Sequence, residues 1–301
     1  MLFGRLTPPK RLYALLSLAI VPILLWICLC RPSSECLNIT FIDVGQGDSA
    51  VIRTPTGRTI LIDGGGRPGD PYSDAIGPKV VEPVLRSYGI SRIDMMVLSH
   101  PHDDHLKGLL TVLRDFKVDR VLDPGIPHPS ICYQEFLSII DERHIEYHRA
   151  LRGQKIDFGD GVTAEVLHPR LPLMEGTRDD TNNNSIVLRF SYDHWKVLFT
   201  GDASEAAEAD ILSARLNPHS DVLKVGHHGS ATATSDEWLD AVRPRVAVIS
   251  VGRRNTFGHP APSTLRRLDQ HGVKVFRTDR NGAVSIRLCK GSDRITIVTN
   301  R

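Results

Sequence analysis

Six consecutive residues, His100-Pro101-His102-Asp103-Asp104-His105, place three imidazoles and two carboxylates in one turn. An apolar, β-prone run, Met95-Met96-Val97-Leu98, precedes them, and Leu106 to Arg114 follows with a helical pattern. Imidazole with carboxylate suits zinc and other divalent transition metals. Four such ligands from one turn are too many for a single catalytic ion that keeps a position open. Two ions roughly 3.5–4 Å apart use them better. His100 and His102 lie two apart in extended chain and point to the same side. Asp104 and His105 come after the chain has turned and can face a second ion. Pro101 disfavours helix at His100 and keeps the turn extended. A plain polar loop is the competing reading, and the His-x-His-x-Asp-His spacing at a strand end argues against it.

The elements that must position this turn carry similar chemistry at their own ends. Thr59–Ile62 runs into Asp63-Gly64-Gly65-Gly66, Trp195–Phe199 into Thr200-Gly201-Asp202, and Asp221–Val225 into Gly226-His227-His228-Gly229-Ser230. In that order the chain resembles the metallo-β-lactamase superfamily. The resemblance implies that Asp63 supports a ligating histidine from behind, that Asp202 bridges two metals and that His227 is the last ligating histidine. The runs Phe41–Ser49, Leu61–Gly65, Asn182–Ser185, Thr200–Asp202, His227–Ser230 and Gly258-His259-Pro260 are similar to the hydrolase domain of ComEC-type competence proteins, over about residues 37–290. Proteins of that type also carry a polytopic channel region, for which these residues leave no room, so transport is not expected here.

Two departures from the pattern bear on the metals. Many ComEC-type sequences have an aspartate where this chain has His102. The superfamily also supplies a third histidine to the first metal, where this chain offers Thr181-Asn182-Asn183-Asn184-Ser185. Amides and hydroxyls are weak zinc ligands, so the first site is expected to be loosely held or to suit manganese. Up to two divalent ions, zinc or manganese, are the expected cofactor. His100 and His102 are expected on the first ion, Asp104, His105 and His227 on the second, with Asp202 bridging. His228 is expected to point elsewhere, as a residue behind the ligands, an acid or a packed neighbour. His259 is expected to line the site within reach of a leaving group. Asp104, His228 and His259 are thus the candidate catalytic residues, and Asn182 and Ser185 candidates for supporting or substrate contacts. Asp43 and Asp48 flank a Gly-Gln-Gly turn, where site organisation and turn chemistry both fit. His128, His144, His148, His168, His194, His219 and His271 show no ligand spacing.

The chain has 301 residues and a net charge of +2, unevenly spread. Residues 243–301 hold thirteen Lys or Arg against Asp269, Asp279 and Asp293, a net of +10. That block suits an anionic substrate, DNA among them; a solvated basic face is the alternative. At the other end, residues 12–30 form nineteen residues without a charge, preceded by Arg5, Lys10 and Arg11. This reads as a single membrane anchor with a cytoplasmic tip and the 37–301 domain outside the cytoplasm. A cleaved signal with secretion is the rival, and no Ala-x-Ala site follows the run. Cys28 and Cys30 fall in the span. Cys132 and Cys289 sit among apolar neighbours as buried thiols; an oxidising compartment permits one bridge without the spacing demanding it.

Strands are expected at Leu37–Asp43, Ser49–Arg53, Thr59–Ile62, Asp94–Leu98, Arg120–Leu122, Thr163–Leu167, Ser185–Ser191, Trp195–Phe199, Val222–Val225, Val246–Ser250, Val273–Phe276, Ala283–Leu288 and Ile295–Val298. Helices are expected at Lys79–Tyr88, His105–Arg114, Cys132–Arg143, Glu205–Arg215, Glu237–Val242 and Thr264–Gln270. With the resemblance this implies an α/β fold, the four-layer αββα sandwich, and Gly66–Pro78 is a candidate substrate-facing loop. Three functions follow: an anchored phosphodiesterase or nuclease, a hydrolase of lactones, lactams or other amides and esters, and a non-catalytic anchored accessory protein. The intact metal motifs argue against the last. Protein partners are unknown from sequence.

Overall fold

Alternating side chains decide the layers. In Ala50–Arg53, Ala50 and Ile52 join one apolar cluster and Val51 another; Ile60 and Ile62 part from Leu61 in the same way, and Met95 and Val97 from Met96. Successive strand residues face opposite sides, so a strand apolar at every position is covered on both. The computed structural model describes Tyr13, residues 35–67 and residues 75–301. It places these strands in an eight-stranded mixed sheet in the order Thr296–Thr299, Val284–Cys289, Cys36–Phe41, Ala50–Arg53, Thr59–Ile62, Met95–Val97, Arg120–Asp123 and Glu146–Arg149. A seven-stranded sheet follows the order Lys274–Arg277, Val246–Ile249, Val222–Lys224, Trp195–Phe199, Val187–Tyr192, Val162–His168 and Lys155–Asp157.

Ile39, Phe41, Ile52, Ile60 and Val97 of the first sheet share a core with Val166, Phe190, Val197, Phe199 and Val248 of the second. Helices Asp103–Asp115 and Ile131–Glu142 cover the outer face of the first sheet with Leu106, Leu109, Leu113 and Phe136. Glu205–Ser213, Asp236–Val242 and Pro262–Gln270 cover the second with Ala207, Ile211, Trp238 and Leu268. The layering is the expected αββα. The expected elements all occur, with ends shifted by one or two residues. Glu146–Arg149 and Lys155–Asp157 escape the sequence reading: each is a sheet edge, the first exposed at every position and the second only three residues long, so neither carries an apolar run.

The expected membrane span over 12–30, Tyr13 apart, lies outside the described residues, as do residues 68–74 of the Gly66–Pro78 loop. Among the described residues no helix is long and apolar enough to cross a membrane.

The cysteine reading needs one correction. Cys36 and Cys289 stand opposite each other in the antiparallel pairing of their strands and form a disulfide, so Cys289 is not a thiol. Strand register makes this pair, which sequence spacing does not encode. Cys132 is buried as expected. The bridge ties residues separated by 253 positions. Replacing both cysteines by serine is expected to lower the unfolding free energy by about 2–5 kcal/mol, read by denaturant titration; an unchanged midpoint would contradict it.

Candidate metal centre

The loops after Thr59–Ile62, Met95–Val97, Trp195–Phe199, Val222–Lys224 and Val246–Ile249 all leave the carboxyl ends of strands that have a parallel neighbour, where α/β sheets gather their sites. Small residues let them close. Gly64 and Gly108 pack main chain against main chain, and a Cβ on either would overlap the facing backbone. Gly64 N donates to His105 O at 2.6 Å, and Asp48 N to Asp104 O at 3.1 Å. Both the Asp63 loop and the Gly-Gln-Gly turn are thereby stitched to the helix that begins with Asp103 and Asp104.

His105 is fully buried and fixed from behind. Its Nδ1 lies 2.8 Å from Asp63 Oδ2, which also accepts Ser99 Oγ at 2.8 Å, while Asp63 Oδ1 accepts Ser99 N at 2.7 Å. That leaves His105 Nε2 facing Asp202 Oδ1 at 3.4 Å. His228 is arranged alike: Nδ1 donates to Ser250 O at 3.0 Å, and Nε2 lies 3.3 Å from Asp104 Oδ2 and 3.4 Å from Asp202 Oδ2. The same Asp202 Oδ2 is 3.9 Å from His100 Nε2 and 3.8 Å from His227 Nε2, and His100 Nε2 is 3.1 Å from His102 Nδ1. Asp48, His105, Asp202 and His228 offer one donor atom each within 4.8 Å of one another.

The expected roles of the two adjacent histidines are therefore exchanged in part. His228 does not point away; it enters the group with Asp104, His105 and Asp202. His227, partly exposed, approaches Asp202 Oδ2 from the side of His100 and lies 3.4 Å from Asn182 Nδ2. The neighbour pair can diverge because both residues, like Asp63, sit in the left-handed region, at φ 46°, 51° and 57°. Such backbone costs a non-glycine residue about 1–2 kcal/mol, and it marks places where packing overrides local preference.

Charge explains why the cluster holds. Burial would raise the Asp202 carboxyl, yet His228, His105 and His227 pull it well below the usual carboxylate range. His228 and His105 likewise bring Asp104 down to about 2 against its burial. In return, burial would lower His105 and His228, but Asp202 with Asp63 for the first and Asp202 with Asp48 for the second raise both well above an ordinary histidine. His100, by contrast, is pushed well below by burial and by His105. Four carboxylates need cations among them. Among the described residues His105 Nε2, His228 Nε2, Asp202 Oδ1 and Asp48 Oδ1, from the four residues whose donor atoms come together, are buried without a hydrogen-bond partner. Convergent donor atoms left unpaired are what a bound divalent ion satisfies, so these residues fit one.

The other expected residues divide. Ser185 Oγ accepts Asp202 N at 3.2 Å and so supports the carboxylate from its main chain. Asp48 pairs with the buried Lys224 ammonium and lies 3.3 Å from His228 Nδ1. Asp43 stays out: it accepts Gly45 N at 3.4 Å in turn fashion and pairs with Arg301 at 3.2 Å. His259 is half-buried beside His227, and burial with His227 and His228 lowers it to about 4, so near neutral pH it is not a cationic proton donor. Lys224, Ser99 and Ser250 were not legible as site residues, being common types in strands or strand ends. His128, which shows no ligand spacing in the sequence, has its ring centroid 5.7 Å from that of His102. Of the basic block, Arg253, Arg254 and Arg266 are exposed, whereas Arg267 is spent internally on Thr234 O, Ala233 O, Ala231 O and Thr264 Oγ1.

Beside the centre, burial lifts the Asp123 carboxyl to about 6, against hydrogen bonds from Gly125 N and Tyr133 Oη. A folded value above the unfolded one makes the folded state bind the proton more tightly, so this group's stability contribution is present below about pH 4 and lost as pH rises through about 6. Asp123→Asn removes that dependence. Its stability relative to the parent protein is expected to improve by on the order of 3 kcal/mol between about pH 4 and pH 7, measured by thermal or denaturant unfolding across pH; a pH-independent difference would refute it.

The family model described as "Metallo-beta-lactamase superfamily" matches residues 42–253. ComE operon protein 3 of Bacillus subtilis is 32% identical over 89% of this chain, competence protein ComA of Neisseria gonorrhoeae 33% over 84%, and recombination protein 2 of Haemophilus influenzae 31% over 91%. The chain spans about a third of the length of these relatives: 35%, 32% and 31%. Among solved structures, Igni18, a metallo hydrolase of Ignicoccus hospitalis, shares the fold at TM-score 0.53 and 16% identity, over 82% of this chain and 98% of its own.

Proposed function

The chain belongs to the metallo-beta-lactamase superfamily and is related to ComEC-type competence proteins, and from this we propose that it is a metal-dependent phosphodiesterase that cuts nucleic acid, DNA foremost, from a membrane anchor outside the cytoplasm. The observation that carries the metal half is the set of buried, unpartnered donor atoms on His105, His228 and Asp202. Asp104, His105, His228 and Asp202 would hold one ion; His100, His102 and His227, with Asp202 shared, would hold the other. When bound, divalent ions supply a hydroxide near neutral pH and polarise the phosphoryl oxygen.

The chain's own residues prepare that chemistry. Asp63 accepts a hydrogen bond from His105 Nδ1–H and so fixes the tautomer in which the Nε2 lone pair faces inward to a bound ion; Ser250 O accepts from His228 Nδ1–H in the same way. Ser185 holds the Asp202 main chain, and Lys224 neutralises Asp48 behind the two rings. His227 and His259 line the rim, one partly exposed and one half-buried.

The exposed Arg253, Arg254 and Arg266 favour an anionic polymer over a neutral amide, and relatives named for competence and for recombination point the same way. The Cys36–Cys289 disulfide belongs to an oxidising compartment, which supports a domain outside the cytoplasm, as does the charge-free span over 12–30 with its basic flank. A reporter fused after Arg301 should be active only where its chemistry needs the extracytoplasmic side; recovery of a soluble product starting between Cys30 and Asn38 would show a cleaved signal instead.

The test of the activity loads the protein with zinc or manganese and offers single-stranded DNA, double-stranded DNA, a lactone and a β-lactam in parallel. Cleavage of DNA is expected. Alanine at Arg253, Arg254 and Arg266 should weaken binding and flatten its salt dependence, by roughly 0.7–0.9 in log–log slope for each phosphate that is no longer neutralised. Lactone or lactam turnover with no cleavage of either DNA overturns the reading.

A further inference from the structure

We propose that Phe257 is a base-stacking platform beside the metal centre, so that the substrate is a single strand held through its unpaired bases; this rests on the phosphodiesterase reading above. Phe257 leaves 56% of its surface in solvent, where a ring of this size normally finds cover. One neighbour does touch it: the His259 ring lies nearly parallel, at 11° and 6.0 Å between centroids. His259 in turn stands 5.7 Å from His227, whose Nε2 is 3.8 Å from Asp202 Oδ2. A row of rings therefore leads from the open surface to the shared carboxylate of the site.

The loop that carries the ring is braced. Asn255 Nδ2 donates to Gly252 O at 2.9 Å and to His259 O at 2.8 Å, and its Oδ1 accepts His259 N at 3.0 Å. Gly252 N donates to Gln46 Oε1 at 3.2 Å, which ties the loop to the turn that ends in Asp48. An exposed aromatic on a braced loop is preorganised: it has little freedom left to lose when a flat ligand covers it. Exposed Arg253 and Arg254 stand just before it on the same loop.

An exposed aromatic on a loop that also carries two exposed arginines matches a chain of bases joined by phosphates. In a duplex the bases are already stacked on one another, so the platform favours strands whose bases are free. A partner protein is the less fitting occupant, because a lone ring among cations is not the contiguous apolar patch such contacts use.

The experiment uses the metal-loaded protein, a cleavage-resistant phosphorothioate oligothymidine and the same backbone without bases, with binding read by fluorescence anisotropy. The parent protein should prefer the base-bearing strand. Phe257→Ala should reduce that preference about 5- to 150-fold, the range expected for one base stacked on an aromatic ring, and Phe257→Trp should keep it, with metal content as in the parent. An Ala variant that retains the full preference overturns the platform even if DNA is cut. So does one that loses metal together with preference, which would mark Phe257 as a structural support of the site. If the parent protein binds neither probe and leaves unmodified single-stranded DNA uncut, the phosphodiesterase reading fails and takes the platform with it.

Discussion

Asp202→Ala is expected to lower kcat by about a thousandfold or more, equivalent to about 4 kcal/mol of transition-state stabilisation, and to reduce bound metal with the fold intact. Asp202 is 3% exposed and reaches four imidazoles, His105 through Oδ1 at 3.4 Å and His100, His227 and His228 through Oδ2 at 3.4–3.9 Å. No other carboxylate among the described residues is seen to serve both histidine groups, so its loss removes a donor from each. Asp202→Asn separates charge from shape: it preserves volume and the Ser185 hydrogen bond to the main chain but drops the negative charge, and should be nearly as damaging. Steady-state kinetics, elemental analysis and circular dichroism on the same preparations decide the matter. Turnover within about tenfold of the parent for the alanine variant, less than about 1.4 kcal/mol, would show that Asp202 is not a shared ligand.

Removing the metal is the second large effect. Chelation should abolish turnover and lower Tm, and returning zinc or manganese should restore both. A ligand that binds only the folded state stabilises it by about 2.7 kcal/mol at a hundredfold excess over its Kd, so the shift should grow with free metal. The stripped protein should nonetheless stay folded, because His105, His228 and Lys224 already face Asp48, Asp63, Asp104 and Asp202. A ligating imidazole must be neutral, so acid competes with the ion and apparent affinity should fall as pH is lowered. Titration calorimetry in buffers of different ionisation enthalpy should detect the released protons. Chelator-insensitive turnover with an unchanged Tm would refute the metal reading.

His100, Asp104, His105 and Asp202 were legible because imidazole and carboxylate are chemically distinctive and cluster where β-type runs end, His100 and Asp202 just after a strand and Asp104 and His105 in the first turn of the helix that follows one; the apolar runs themselves were legible because both faces of each sheet are covered. The edge strands Glu146–Arg149 and Lys155–Asp157 were not, since one is exposed throughout and the other has a single apolar residue. Donor type and strand-end placement are local properties, written into covalent structure and nearest-neighbour sterics, and here the sequence alone determined them. Which histidine of His227-His228 turns inward depended on a left-handed backbone and on the Ser250 carbonyl of another strand. The Lys224–Asp48 pair, the withdrawal of Arg267 and the Cys36–Cys289 bridge are likewise contacts between segments far apart in the chain. Only the tertiary structure decided these, because an atom's direction is set by whatever packs against it, and that partner is chosen by register and layer rather than by spacing along the sequence.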